Sequence, residues 1–232
     1  MIFDEIAHRR ASGERGLDIL SLLMDAEDED GSRLSDQELR DQVMTLLFAG
    51  HDTATSTVTF LFYELARTPD EIAPLVEEVS ASDDLVGGMP RLDMALDETL
   101  RMYPPAWIGP RRSVERFELG GVSVPGGVFV NYCSWASHHL PEVFPEPSRF
   151  RPERFAPEPK AALPKGAYVP FGGGSRTCIG MRFGQLEVKA IAASILRRFR
   201  LELVDPALQP SIRQMPTLSP RGGLPVVVRA RA

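Results

Sequence analysis

The residues best suited to chemistry sit together in the run Phe171-Gly172-Gly173-Gly174-Ser175-Arg176-Thr177-Cys178-Ile179-Gly180. A reactive sulfur, a fixed positive charge and a flexible backbone coincide there. Glycines let main chain lie close to a flat cofactor. The mixed apolar and basic run from Met181 to Arg200 predicts a helix beginning near Cys178. Free amides at a helix N-terminus favour negative charge, and the thiolate is the species that bonds a metal. Arg176 suits an acidic substituent of the cofactor, and Phe171 is placed to shield the sulfur from water. The run reads as a haem-thiolate loop. The competing reading is a glycine-rich turn with a buried structural cysteine.

Three further groups carry chemistry. Ala49-Gly50-His51-Asp52-Thr53 falls in a long helical pattern, where Gly50 costs about 1 kcal/mol relative to alanine and asks for a reason such as close approach of a cofactor. In the competing reading Thr53 bonds back to a carbonyl one turn earlier and Asp52 is half of a structural ion pair. Glu98 and Arg101 stand three apart on one helix, a spacing that ordinarily makes an exposed ion pair worth a few tenths of a kcal/mol. Arg111 and Arg112 precede a pair of strands, and Pro152-Glu153-Arg154-Phe155 opens a proline-rich stretch.

The elements that must position these groups read as mainly α with small antiparallel β-sheets. Leu17–Asp25 is a short helical pattern, followed by an acidic loop to Gly31. Ser35 with Glu38 makes a capping box for a helix continuing through Leu65 to the stop at Pro69, roughly 30 residues and ~45 Å. Helices follow from Thr68 to about Val79 and from Met89 to Met102, the latter ended by Pro104-Pro105. Strands are expected at Phe117–Leu119, Val122–Val124 and Val128–Tyr132, then at Arg200–Val204, Ser211–Leu218 and Leu224–Arg229. Arg151–Lys165 reads as an extended loop, and Cys133 as a small buried apolar residue.

Phe171, Gly174, Arg176, Cys178 and Gly180 resemble the cytochrome P450 signature Phe-x-x-Gly-x-Arg-x-Cys-x-Gly. The order of the other motifs, from Leu17 to the end, is similar to that family as well. The resemblance implies haem b (iron protoporphyrin IX) with Cys178 as metal ligand. Cofactor contacts are implied for Phe171, Gly172, Arg176, Gly180, Arg111, Ala49 and Gly50. Asp52 and Thr53 are implied as catalytic, Thr53 holding dioxygen or its water and Asp52 relaying protons. Glu98, Arg101 and Arg154 become a structural network. Ala106, Trp107, Ile108 and Leu218 become candidates for the substrate pocket, plain core being the other reading. The implied activity is monooxygenation of a small organic substrate, with electrons from a ferredoxin- or flavodoxin-type donor. Because a complete family member has a long N-terminal half, the expectation is one partial P450 domain over 1–232. On that expectation it is a C-terminal portion and a truncated chain, and the alternative function is a catalytically incompetent haem-binding or partner-binding fragment.

Composition narrows the rest. The 232 residues carry a net charge of −6, which argues against general nucleic-acid binding. Arg182, Lys189, Arg197 and Arg198 gather after the cysteine loop, either as a face for an acidic partner or as a solvated helix face. Two distant cysteines make no disulfide framework, and no basic-then-apolar leader opens the chain, so a cytoplasmic location is expected. Asp52 interrupts the most apolar segment, Val43–Ala66, which speaks against a membrane span. No glycine motif for a nucleotide is present, so electrons are expected from a separate protein.

Overall fold

The computed structural model describes residues 1–231. The chain divides into two compact units, Met1–Asp52 and Thr53–Ala232.

In the first unit, α1 (Ile2–Ser12) and α2 (Ile19–Asp25) precede the start of α3 (Asp36–Arg67). Ile6, Met24 and Leu39, one from each helix, form its apolar centre. Arg9 ties α1 to the N-cap of α2 by donating to Asp18 at 2.7 Å and to the Ser21 hydroxyl at 2.9 Å. The capping box of α3 is present: the Ser35 amide donates to Glu38 at 2.8 Å, and the Glu38 amide to the Ser35 hydroxyl at 3.3 Å. Helix α1 had no counterpart in the sequence reading, since its short, charged pattern shows little apolar periodicity.

The second unit holds the rest of α3, then α4 (Pro69–Ala81) and α5 (Pro90–Met102), each opened by a proline whose missing N–H is not needed there. Four antiparallel strands follow: β1 (Gly109–Arg112), β2 (Phe117–Leu119), β3 (Val122–Val124) and β4 (Phe129–Tyr132). β1 pairs with β4 and β2 with β3. Next come α6 (Ser134–His138), a 3-10 turn at Pro152–Phe155, and α7 (Pro157–Ala161). The stretch read as an extended loop is thus largely helical, because proline suits the first turn of a helix as well as it suits a loop. A second 3-10 turn, Gly174–Arg176, leads to α8 (Met181–Arg198). The chain closes with β5 (Phe199–Leu203), β6 (Ile212–Arg213), β7 (Ser219–Pro220) and β8 (Val226–Ala230). β5 pairs with β8 over five positions, whereas the expected strand Ser211–Leu218 shrinks to the two residues of β6.

The core of this unit is a helical layer. Leu61 and Leu65 of α3, Leu75 and Val79 of α4, Leu92 and Leu96 of α5, and Ala192 and Leu196 of α8 are all buried in one cluster. At roughly 25 cal/mol per Å² of apolar surface, each such leucine contributes about 1.5–3 kcal/mol. Most of the basic cluster after the cysteine loop serves this packing. Lys189 is buried with Asp93 at 2.7 Å, Arg197 donates to the carbonyls of Val79 and Ser82, and Arg198 donates to Ser194. Arg182 alone of the four stays exposed without a protein partner among the described residues. Cys133 is half-buried and caps α6, its sulfur accepting from the Ala136 amide at 3.4 Å, where a buried apolar residue had been expected. No helix among the described residues is long and apolar enough to cross a membrane.

Candidate active site

The cysteine loop is built by backbone. Gly172 and Gly174 take φ of +71° and +68°, a region where a side chain costs about 1–2 kcal/mol. Their turns fold the chain back so that the Cys178 amide donates to the Phe171 carbonyl at 2.9 Å and the Thr177 amide to the Gly174 carbonyl at 3.2 Å. Phe171 is half-buried against the helical core and so anchors the loop's first residue. Helix α8 starts three residues beyond Cys178, and the Met181 amide reaches the Cys178 carbonyl at 3.4 Å. A Cβ at Gly180 would stand 3.9 Å from the Cys178 sulfur, ordinary contact distance. The competing reading of a buried structural cysteine fails, because Cys178 is exposed. Arg176 beside it is exposed and pairs with no described residue. Ile179 and Phe183 are 94% and 65% exposed. Sulfur, cation and uncovered apolar surface are thus presented together.

Arg111 lies on β1, opposite Val130 of β4, and its guanidinium sits 5.5 Å from the Tyr132 ring centroid. Tyr132 is a residue that the sequence reading passed over. It faces Gly109 in register, where a Cβ would come within 2.1 Å of its ring, so a glycine is required there. Its hydroxyl would lie 3.0 Å from a Cβ at Gly172. One aromatic side chain therefore joins the arginine-bearing sheet to the cysteine loop.

Helix α3 is continuous through Ala49, Gly50, Asp52 and Thr53, all of which make further interactions within the protein. Asp52, in the first unit, is partly shielded and its Oδ1 lies 3.1 Å from Nδ1 of His51, which is 79% exposed. The space that a Cβ on Gly50 would occupy is open. Thr53, in the second unit, accepts at its carbonyl from the Thr57 hydroxyl at 2.8 Å.

The Glu98–Arg101 pair is the opposite of the exposed pair its spacing suggests, since both side chains are fully buried. Arg101 grips Glu98 through Nε at 2.7 Å and Nη2 at 2.9 Å. Its remaining donors go to the carbonyls of His138 at 2.9 Å and Pro147 at 2.8 Å. Glu98 also accepts from Arg154 Nε at 3.3 Å and from the Arg151 amide at 3.0 Å. The three residues named from sequence are brought together, with the Arg151 backbone as an unforeseen fourth member.

Among the buried ionisable groups that escaped the sequence reading are His138 and Glu64. Burial pushes the imidazole of His138 down to about 4. Burial likewise raises the carboxyl of Glu64, which accepts from the Tyr103 hydroxyl at 2.5 Å. Adjacent histidines at 138 and 139 gave no sign of which one turns inward.

Of the pocket candidates, Trp107 is half-buried and its indole donates to the Gln214 carbonyl at 2.9 Å. Ile108 is half-buried and Ala106 exposed. Leu218 sits in a buried cluster with Phe60 and Tyr63, its amide donating to the Pro105 carbonyl at 3.0 Å. Beside it, the Thr217 hydroxyl is buried without a hydrogen-bond partner among the described residues.

A mainly helical unit that presents an exposed cysteine before its last helix defines the class. The cytochrome P450 family profile matches residues 2–223, and the chain belongs to that family. Cyclooctatin synthase of Streptomyces melanosporofaciens is 40% identical, covering 91% of this chain and 47% of its own length. Cyclooctat-9-en-7-ol 5-monooxygenase of the same organism is 39% identical, with 88% and 46% covered. Among solved structures, a retinoic acid-bound cyanobacterial CYP120A1 superposes with a TM-score of 0.90 at 32% identity, covering 99% of this chain and 55% of that one. CYP102L1, a cytochrome P450, gives 0.92 at 29% identity, covering 99% and 54%. The chain spans about half the length of the curated relatives it matches.

These findings correct the sequence reading of a C-terminal portion with an absent N-terminal half. The P450 fold occupies essentially all of this chain, with 99–100% of it superposed, and the description "truncated" is withdrawn. That description rested on segments not seen in the sequence, and missing segments say nothing about the fold of the residues present.

Proposed function

We propose that the chain carries out haem-thiolate monooxygenation, inserting one atom of dioxygen into a small organic substrate. The observation that carries the reading is Cys178, exposed on a loop fixed by the Phe171 carbonyl and bordered by exposed Arg176, Ile179 and Phe183. A cation, a thiol and apolar side chains match the acidic edge, the metal and the flat face of haem b. No cluster of three or more His, Cys, Asp or Glu among the described residues could hold a bare metal ion. A metal at Cys178 therefore brings its other ligands with it. When bound, haem held by the Cys178 thiolate would supply dioxygen activation.

The chain's own residues supply the rest. Cys178 furnishes the ligand sulfur, with Phe171 and Gly180 as its neighbours. Arg176 and Arg111 offer two cations for the two propionates, and Gly172 keeps the loop turned. Ala49 and Gly50 present small residues on α3. Asp52, whose Oδ1 lies 3.1 Å from Nδ1 of His51, is the proton relay, and Thr53 the residue that holds dioxygen or its water. Glu98, Arg101 and Arg154 act by rigidity alone. Trp107, Ile108 and Ala106 form a wall against which an apolar substrate packs, backed by Leu218. The names of the two Streptomyces relatives, and the retinoic acid in the cyanobacterial structure, favour a largely hydrocarbon substrate. Electrons come from a ferredoxin- or flavodoxin-type protein, for which Arg182 is an available contact. The location in this reading is the cytoplasm.

The test is spectroscopic. Haem-loaded chain, reduced and exposed to carbon monoxide, is expected to give the long-wavelength Soret band of thiolate ligation, retained in Cys133→Ser and lost in Cys178→Ser. A wild-type complex without that band overturns the reading. Product analysis with a donor protein and a largely hydrocarbon alcohol then checks turnover.

A further inference from the structure

His138 stands at the end of α6, fully buried, and nothing in the chemistry above uses it. Its two ring nitrogens have partners of opposite kind. Nδ1 lies 3.2 Å from the Arg101 carbonyl, which can only accept, and Nε2 lies 2.9 Å from the Val169 amide, which can only donate. The ring is therefore neutral, with its proton on Nδ1. Phe144 and Tyr168 hold it in place, with ring centroids 6.4 Å and 5.3 Å away. A bonded chain continues beyond it: the Val169 carbonyl accepts from the Gly172 amide at 3.1 Å, and the Phe171 carbonyl from the Cys178 amide at 2.9 Å. On its other side, the His138 carbonyl accepts from Arg101 at 2.9 Å.

We propose that His138 is a positioning residue that clamps the cysteine loop to the buried Glu98–Arg101 cluster, fixing where the backbone carries Cys178. The Glu98–Arg101 pair is fully buried with a partner at every charged atom, and the imidazole both accepts from Val169 and donates to α5. Burial that lowers its pKa to about 4 keeps it in this form at neutral pH. The functional consequence, a fixed sulfur, rests on the haem-thiolate reading, while the clamp itself does not.

Hydrogen exchange of the ligand-free full chain separates the two. In His138→Asn the shorter amide reaches only the Nδ1 position, whereas in His138→Gln the amide oxygen reaches the Nε2 position. We expect the amides of Val169, Gly172 and Cys178 to exchange at least about tenfold faster in H138N, with the α5 amides unchanged, and within about threefold of wild type in H138Q. Wild-type exchange of the loop in H138N, or equal acceleration of loop and α5, overturns the proposal. If H138N does not fold, H138Q decides alone: protected loop amides support the clamp and fast ones refute it. In the haem-loaded protein, H138N is expected to broaden the thiolate Soret band and H138Q to keep it. Absence of that band in wild type would refute the haem reading and leave the exchange result standing.

Discussion

The Glu98–Arg101 cluster and the cysteine loop are adjacent parts of one unit built on opposite rules. In the cluster both side chains are buried and each charged atom has a partner. In the loop, Cys178 and Arg176 face outward on backbone turns and left-handed glycines, with Phe171 at its first residue packed against the helical core. A closed set of bonds can stiffen its surroundings but has no free valence for a ligand. An open loop has free groups but cannot hold itself still. The comparison teaches that rigidity and reactivity are divided between neighbours and joined at His138.

The largest expected effect breaks the closed side. Arg101→Leu removes the bidentate partner of the buried Glu98 carboxylate, leaving it Arg154 at 3.3 Å and the Arg151 amide at 3.0 Å, and should cost about 3–5 kcal/mol in urea unfolding, against less than about 1 kcal/mol for exposed Arg176→Leu. Similar losses at both positions would erase the contrast.

Acid sharpens it next. The unfolded histidine binds protons below about 6.5, and the folded one only near 4. The unfolded state therefore takes up more protons between those values. The stability due to a neutral His138 is full above about pH 6.5 and is lost as pH falls toward 4, on the order of 3 kcal/mol in all. Urea midpoints of wild type and H138Q should lie close at neutral pH and separate as pH falls toward 4, wild type dropping below H138Q, which has no imidazole there to titrate.

On the open side, Gly172→Ala meets both a left-handed φ and the Tyr132 hydroxyl at 3.0 Å, and should cost about 1–3 kcal/mol. Gly173→Ala, with open space around it, should cost less than about 1 kcal/mol. Thr217→Val removes a buried hydroxyl that has no partner and should stabilise the chain by about 1 kcal/mol. Arg182→Ala should change the thermal midpoint least, by less than about 0.5 kcal/mol in equivalent stability, because this exposed side chain makes no hydrogen bond or ion pair with a described residue.

Where sequence reading succeeded, the physics was local. Capping at Ser35, prolines before α4 and α5, and glycines flanking Cys178 act within a few residues, so they can be read from the order of residues alone. The reading missed what depends on approach from afar. The stretch of 151–165 is largely helical because prolines fit first turns, Lys189 is buried because Asp93 meets it from α5, and Glu98 is buried where the Arg151 amide and Arg154 meet it from the 3-10 turn. Tyr132 was invisible because its role is set by Gly109 across a strand pair and by Gly172 across the unit.

By itself the order of amino acids determined the family, the thiol at its centre and most helix boundaries, since each is set by spacing along the chain. Tertiary structure alone decided which ion pair is buried, which arginines remain available and which of two neighbouring histidines turns inward. Burial and bonding partners come from segments remote in sequence, and a side chain's charge state and energy follow from those partners.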